Sequence, residues 1–339
     1  MEAVYVQTND AQKNEVVAYR RESDGSLSNI GSFETGGNGT GKPHLPSQRS
    51  IVLSDDGSWL LVANGGSDTI SLFTVEPEGL QLADAVPSGG GTPTSVAVHG
   101  SLVYVANNAD ANVAGFTIAS GKLVTLEGST RTLSGDGADP AQISFSPDGT
   151  TLVVTERGSN AISAFAIDEQ GYASGPSTIA SAGETPYGFD FTSAGTLVVT
   201  EAFGGAKGKA AASSYAVTEP GRLSPVSASV ADTRSEVCWA AVAKDGRFVY
   251  VTNFGDGTIS SYAIASDGTI QLAEAVAGST RLGEPGVRDE AISEDGRFLY
   301  ALDADTQMVH GWRINADGRL SEVGAADGLP STVAGLAAS

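Results

Sequence analysis

The chain has 339 residues, 40% of them hydrophobic, and sets 40 acidic against 19 basic side chains for a net charge of −21. A surface this acidic repels phosphate backbones and anionic lipid, which argues against nucleic-acid and membrane-surface roles and favours neutral or cationic ligands over polyanions. The single cysteine, Cys238, excludes an internal disulfide, and no apolar run reaches the length of a membrane span. No basic-then-apolar leader precedes the first strand, so the sequence suits the cytoplasm or an exported chain whose signal has been removed.

From the amino end, residues 3–8 alternate as a strand, and Asp24-Gly25 marks the turn into a later one. A repeated phrase then takes over: a short apolar run, a glycine turn, and a strand rich in Val, Leu and Tyr. The turn glycines are Gly57, Gly100, Gly149, Gly195, Gly246 and Gly296, spaced 43, 49, 46, 51 and 50 residues apart. Glycine supplies the positive φ that such tight hairpins need, and this period is that of a four-stranded propeller blade. Each strand after the turn ends in a polar residue at one matching place: Asn64, Asn107, Glu156, Glu201, Asn253 and Asp303. Third strands follow at 69–73, 161–165 and 308–312, and fourth strands follow second glycine turns such as Asp267-Gly268 and Asp317-Gly318. The amino-terminal unit lacks a first strand, and residues 333–339 read as that missing strand. The pattern predicts an all-β fold: a single seven-bladed β-propeller of four-stranded antiparallel blades over 1–339. The carboxy-terminal strand would pair with the amino-terminal one, closing the ring so that no sheet edge is left free.

The segments leading into the innermost strands are 42–50, 92–95, 139–142, 185–188, 235–239, 285–290 and 330–332. They vary where the rest of the repeat agrees, and they converge on one mouth of the central channel, which makes that mouth the expected site. Gln142, Tyr187, Glu236 and Glu290 belong to these segments and are candidate ligand contacts. Glu156 and Glu201 replace asparagine in consecutive blades and could act as an acid/base pair, or lie as solvated rim charges. His44 is the only histidine in a lead-in segment and is the candidate general base. The planar forks of Arg49 and Arg288 suit a carboxylate or lactone carbonyl, or an ion pair with Glu236, Asp289 or Glu290. Trp239 could stack on a ring-shaped ligand, and Cys238 could be a nucleophile if its pKa fell, or a buried packing residue. Asn64, Asn107 and Asn253 are further candidate ligand contacts, or serve their own turns, since each precedes a glycine-containing turn where asparagine is common. No zinc, Walker or dinucleotide motif is present, and the ring of oxygen side chains is too dispersed for calcium, so neither metal nor cofactor is expected. Residues 204–212, with Lys207 and Lys209, read as a surface loop.

The phrase Ser146-Pro-Asp-Gly149, its following strand and Ile162-Ser-Ala-Phe165 resemble the seven-bladed lactonase family. That family includes propeller-type 6-phosphogluconolactonases and carboxymuconate lactonizing enzymes, and the resemblance covers essentially the whole chain. It implies a hydrolase or cyclase acting on a small cyclic ester, with Glu156 or Glu201 matching the family glutamate and Arg49 or Arg288 its arginine. The family places histidine just before inner strands; here those places read Thr94-Ser95, Ala141-Gln142, Tyr187-Gly188, Cys238-Trp239 and Arg288-Asp289. Two other functions therefore stand beside it: a propeller that binds a small molecule or protein without turnover, and an isomerase or lyase using carboxylates. A monomer is expected.

Overall fold

A computed structural model describes residues 2–42 and 45–339, arranged as seven antiparallel sheets around a central axis. Blade 1 is Ala334–Ala338, Ala3–Gln7, Glu15–Arg21 and Leu27–Glu34, counted outward from the axis. The inner strands of blades 2 to 7 are Ile51–Leu53, Pro93–His99, Pro140–Phe145, Pro186–Phe191, Val237–Val242 and Val287–Ile292. The closure read from the sequence is present: Val4 pairs with Ala338, Tyr5 with Ala337 and Val6 with Leu336. Ala3 and Ser339 exchange bonds at the end of this pairing, the Ala3 amide donating to Ser339 Oγ at 2.8 Å.

Period-2 alternation gives each strand apolar residues on both faces, since both faces of a blade meet a neighbour. The result is one apolar cluster in every seam, such as Leu61, Ile70 and Val105 between blades 2 and 3. Val153, Phe189 and Tyr215 fill the seam between blades 4 and 5. Tyrosines on second strands bolt adjacent blades by donating to carbonyls in the next blade's outer turn: Tyr104 to Gly171 at 2.9 Å, Tyr250 to Gly318 at 2.8 Å and Tyr300 to Gly25 at 2.8 Å. Gly25 has φ +95°, and a Cβ there would collide with the Phe298 ring, so this turn accepts only glycine. The stretch 204–212 is not all loop: Phe203–Gly205 forms a 3-10 turn and the third strand of blade 5 begins at Ala211.

One lead-in segment departs from the repeat. In blades 3 to 7 the first residue of the inner strand pairs with the polar end of the second, as Pro93 does with Asn107 and Val237 with Asn253. In blade 2 the inner strand shrinks to Ile51–Leu53, because Gln48 leaves the blade and crosses the axis.

Candidate functional site

The polar residues that end the second strands lie in the seams, and each of Asn64, Asn107, Glu156, Glu201, Asn253 and Asp303 is fully buried. Asn64 donates to Ser71 Oγ at 2.8 Å and accepts from Asn14 and Thr35 of blade 1 at 2.8 and 2.7 Å, which ties two blades together. Asn107 reaches Asn112 at 2.9 Å and Asn253 reaches Ser260 at 2.8 Å. Their side chains thus span from strand to strand rather than serving their own turns. The positive φ in those connections belongs to Asp68, Ala111 and Gly257 instead.

Glu156 accepts from Ser159 at 2.7 Å, from Ser163 at 2.5 Å and from the Ser134 hydroxyl. Glu201 accepts from the Gly183 amide at 2.8 Å and from the Ser213 hydroxyl, while burial raises its pKa. Neither is a solvated rim charge, and they occupy two different seams. Glu156→Ala should remove the buried bond to Ser163, which keeps only Thr178 at 2.9 Å, along with those to the exposed Ser134 and Ser159, and lower stability by about 2 kcal/mol, measurable by urea unfolding. An unchanged midpoint would show that this network carries no weight.

At the end of the ring that carries the lead-in segments, Tyr187, Cys238, Trp239, Ala141 and Ala202 form an apolar cluster with Phe254. The Tyr187 and Trp239 rings stand 4.8 Å apart and tilted by 42°. Arg157 lies 5.0 Å over Tyr187 and donates to Asp139 at 2.6 Å, and Arg288 lies 4.1 Å over Phe254. Burial pushes the Cys238 thiol up to about 12, so it stays protonated and does not serve as a thiolate nucleophile. Cys238 Sγ donates to the carbonyl of Glu236 at 3.4 Å. Gln142 is taken up by structure: its amide accepts from and donates to the Phe189 backbone, both at 2.7 Å, clamping blade 4 to blade 5. His44 lies outside the described residues.

Gln48 blocks the axis just beneath this cluster. Its amide nitrogen donates to Ala141 of blade 4 at 3.0 Å, and its carbonyl accepts from Ser95 of blade 3 at 2.6 Å. Its side chain donates to the Ala240 carbonyl of blade 6 at 2.9 Å and accepts from the Ala240 amide at 3.2 Å. The double bond to Ala240 copies what Gln142 does to Phe189 one blade earlier. The residue corresponding to Gln142 in blade 5 is Gly188. A Cβ there would collide with Gln48 Oε1 and come within 2.7 Å of Cys238 O and Trp239 Cα.

Below Gln48 the axis opens into a cavity of about 330 Å³. Gln48, Arg49, Asp190, Asp289 and Glu290 line its inner part, and Asp55, Gly57, Lys244 and Glu294 its rim. These rim residues belong to the first hairpin turns, so the cavity opens at the face opposite the mouth expected from the sequence. Arg49, in a left-handed conformation at φ +63°, points its guanidinium to within 3.6 Å of Asp190. The ion pair considered for Arg49 therefore exists with a different partner. Asp190 also accepts from the Val242 amide of blade 6 at 2.9 Å.

Asp289 and Glu290 are each only 2% exposed. Asp289 Oδ1 accepts from the Glu290 amide at 3.1 Å, whereas Asp289 Oδ2 and both carboxyl oxygens of Glu290 have no hydrogen-bond partner among the described residues. Burial pushes the Asp289 carboxyl up to about 8 against the opposing pull of the Glu290 and Leu336 amides and the Arg49 charge. Burial and the neighbouring Asp289 and Asp190 charges push Glu290 well above the usual carboxylate range. The register shows how foreign Glu290 is. The same place in the other inner strands holds Ile51, Val96, Ile143, Phe189, Ala240 and Leu336.

Raised carboxyl pKa values set the sign of the pH response. Between the ordinary carboxylate pKa near 4 and the raised folded value, the folded ring binds more protons than the unfolded chain, so stability falls as pH rises. For Asp289 the loss runs from about 4 to about 8, and Asp232, buried and pushed up to about 6, adds to it at the lower end. Asp56, held down to about 2 by the Ser54 and Ser58 donors, acts oppositely and loses its contribution as pH falls from about 4 to about 2. Thermal unfolding across pH should therefore show its highest midpoint at mildly acidic pH, with a decline toward pH 8. A midpoint rising over that interval would contradict the assignment.

Of the charged residues that line the inner cavity, the sequence singles out Arg49 and Glu290 as candidates but not Asp190 or Asp289. Asp190 stands between Phe189 and Phe191 in a strand whose alternation looked routine, and only the across-axis approach of Arg49 reveals its role. Among the described residues no group of three or more His, Cys, Asp or Glu side chains is placed to hold a metal ion.

The architecture and axial cavity define a closed seven-bladed propeller with a polar site at its centre. Its sequence matches the profile of the family described as lactonase, 7-bladed beta-propeller, over residues 3–138, 125–202 and 201–331, and the chain belongs to that family. Among solved structures it is similar to the Pseudomonas aeruginosa periplasmic gluconolactonase PpgL, with 17% identity, coverage of 99% of this chain and 98% of the other, and a TM-score of 0.77. A candidate 6-phosphogluconolactonase from Bacteroides uniformis shows 18% identity, coverage of 98% and 99%, and a TM-score of 0.76. A Lactobacillus plantarum protein is 18% identical over 100% of this chain and 99% of its own, also with a TM-score of 0.76. At these identities the likeness is one of fold. No curated protein is significantly similar to the chain.

Proposed function

We propose that the chain is a lactonase-type hydrolase that opens a small cyclic ester in the axial cavity. The observation that carries this reading is the set of three unpartnered carboxyl oxygens, on Asp289 and Glu290, beside the Arg49–Asp190 pair. Buried groups leave hydrogen bonds unmade only at a cost, so such oxygens are placed for a ligand. Arg49 orients the ester through its planar fork. Water attacks the carbonyl carbon and passes a proton to Asp190. The ring C–O bond then breaks, and the leaving oxygen takes a proton from Glu290 or Asp289, whose carboxyls burial pushes above the usual carboxylate range. Return of the proton from Asp190 to the acid resets the site. Axial acids suit this work better than Glu156 and Glu201, which are fully buried in the seams with serine hydroxyls bound to them. The absence of family histidines at the lead-in positions favours a second reading, in which the same cavity holds a ligand without turnover.

The deciding experiment is hydrolysis of a panel of γ- and δ-lactones followed by NMR against the spontaneous background. Acceleration that survives Glu156→Gln but is lost in Glu290→Gln supports the hydrolase with an axial proton donor. No acceleration across the panel would sink it in favour of the binding or isomerase readings.

A further inference from the structure

We infer that the axial site selects an uncharged, polyhydroxylated ring and rejects its phosphorylated counterpart. This rests on the cavity being the ligand site, as proposed above, and adds the chemical class that it accepts. The cavity, at about 330 Å³, is at the small end of ligand sites, which run from roughly 300 to 1,000 Å³, so it suits a single substituted ring.

The charge of the lining decides between neutral and phosphorylated rings. The cations are Arg49 and Lys244, and Arg49 already has Asp190 at 3.6 Å. Glu294 stands on the blade next to Lys244, and Asp55, whose carboxylate accepts from the Gly100 amide at 3.0 Å, adds a second rim carboxylate from blade 2, so an anion entering from that face meets carboxylates on its way in. A phosphate dianion would be desolvated without a matched fork of cations, and like-charge juxtaposition costs several kcal/mol. Deeper in, the chemistry is that of hydroxyl recognition. Asp289 Oδ2 and the two Glu290 oxygens carry unspent bonding capacity, and a protonated carboxyl both donates and accepts. Ring hydroxyls, which also do both, match this pattern. A purely apolar ring would leave those oxygens unmatched, so it too is disfavoured.

The test uses the intact chain and two non-hydrolysable probes: a six-carbon polyhydroxy δ-lactam, isosteric with an aldonolactone, and its phosphate monoester. Titration calorimetry should show the neutral lactam binding and the phosphate ester binding at least about 100-fold more weakly. The double substitution Asp55→Asn and Glu294→Gln should shrink that gap while leaving the neutral probe unchanged. Equal or tighter binding of the phosphate ester overturns the inference even if the lactone panel shows turnover. Failure of both probes to bind overturns it as well. Binding of the neutral lactam without turnover of any lactone keeps this inference and removes the hydrolase reading, so the two can fail separately.

Discussion

Glu290→Leu should produce a ring that melts at higher temperature and has lost turnover. At this place the other inner strands carry Ile51, Val96, Ile143, Phe189, Ala240 and Leu336, so a leucine fits a slot built for apolar side chains. The wild-type carboxyl is 2% exposed and neither of its oxygens has a partner among the described residues, which costs the folded state about 2 kcal/mol relative to an apolar group of similar size. Removing that cost should raise the thermal midpoint and flatten its decline with rising pH, since one raised carboxyl no longer titrates. Calorimetry and the lactone assay on the same preparation read both effects. A destabilised variant would mean that Glu290 has a partner essential to the fold, and a variant stable and fully active would remove it from the chemistry. Gain of stability with loss of function is the signature of a residue kept for its site rather than for the fold.

Gly188→Ala should be a strongly damaging single-methyl change near the axis. The added Cβ would overlap Gln48 Oε1 and approach two backbone atoms, Cys238 O and Trp239 Cα, to 2.7 Å. A side-chain tip can move, but the paired backbone of the blade 6 inner strand cannot, so the cost should reach about 3 kcal/mol. The Gln48 crossing would be displaced with it, opening the axis from the lead-in end. Unfolding in urea should show a lower midpoint, and the tryptophan signal should change because Trp239 is one of the atoms struck. Gln48→Ala is the companion: it loses the paired bonds to Ala240 and should relieve only the side-chain part of the Gly188→Ala clash. A fully stable Gly188→Ala protein would show that the crossing is loosely held.

Much of the fold was legible because a propeller writes itself as a period. Glycine turns such as Gly149 and Gly246, with alternating strands after them, fixed blade number and closure without any long-range information. Individual side chains were harder. Glu156 and Glu201 looked like a catalytic pair because both follow a second strand, yet that place turned out to be a seam in every blade, visible only when the hydroxyls of Ser163 and Ser213 arrive from the next strand. Arg49 and Glu290 stood out as charges in variable segments, and both do line the cavity. Asp190 could not be singled out, since its partner lies across the axis in a segment 141 residues away in sequence. The crossing by Gln48 was equally hidden. Its trace in the sequence is a glycine, Gly188, whose reason is the absence of a side chain that would occupy another blade's space.

The pairing of Ala3 with Ser339 joins residues 336 positions apart. During synthesis the strand Ala3–Gln7 is made first, yet its inner neighbour Ala334–Ala338 emerges only after all the intervening blades. The oldest blade is therefore the last to be completed. Until then its inner edge remains a bare ladder of amides and carbonyls, open to strands from other molecules. Forming contacts this distant carries a high loop-closure cost, so final closure should be slow relative to assembly of each blade. The interval between the first and last strands is thus the period in which this inner edge is open to pairing with other chains.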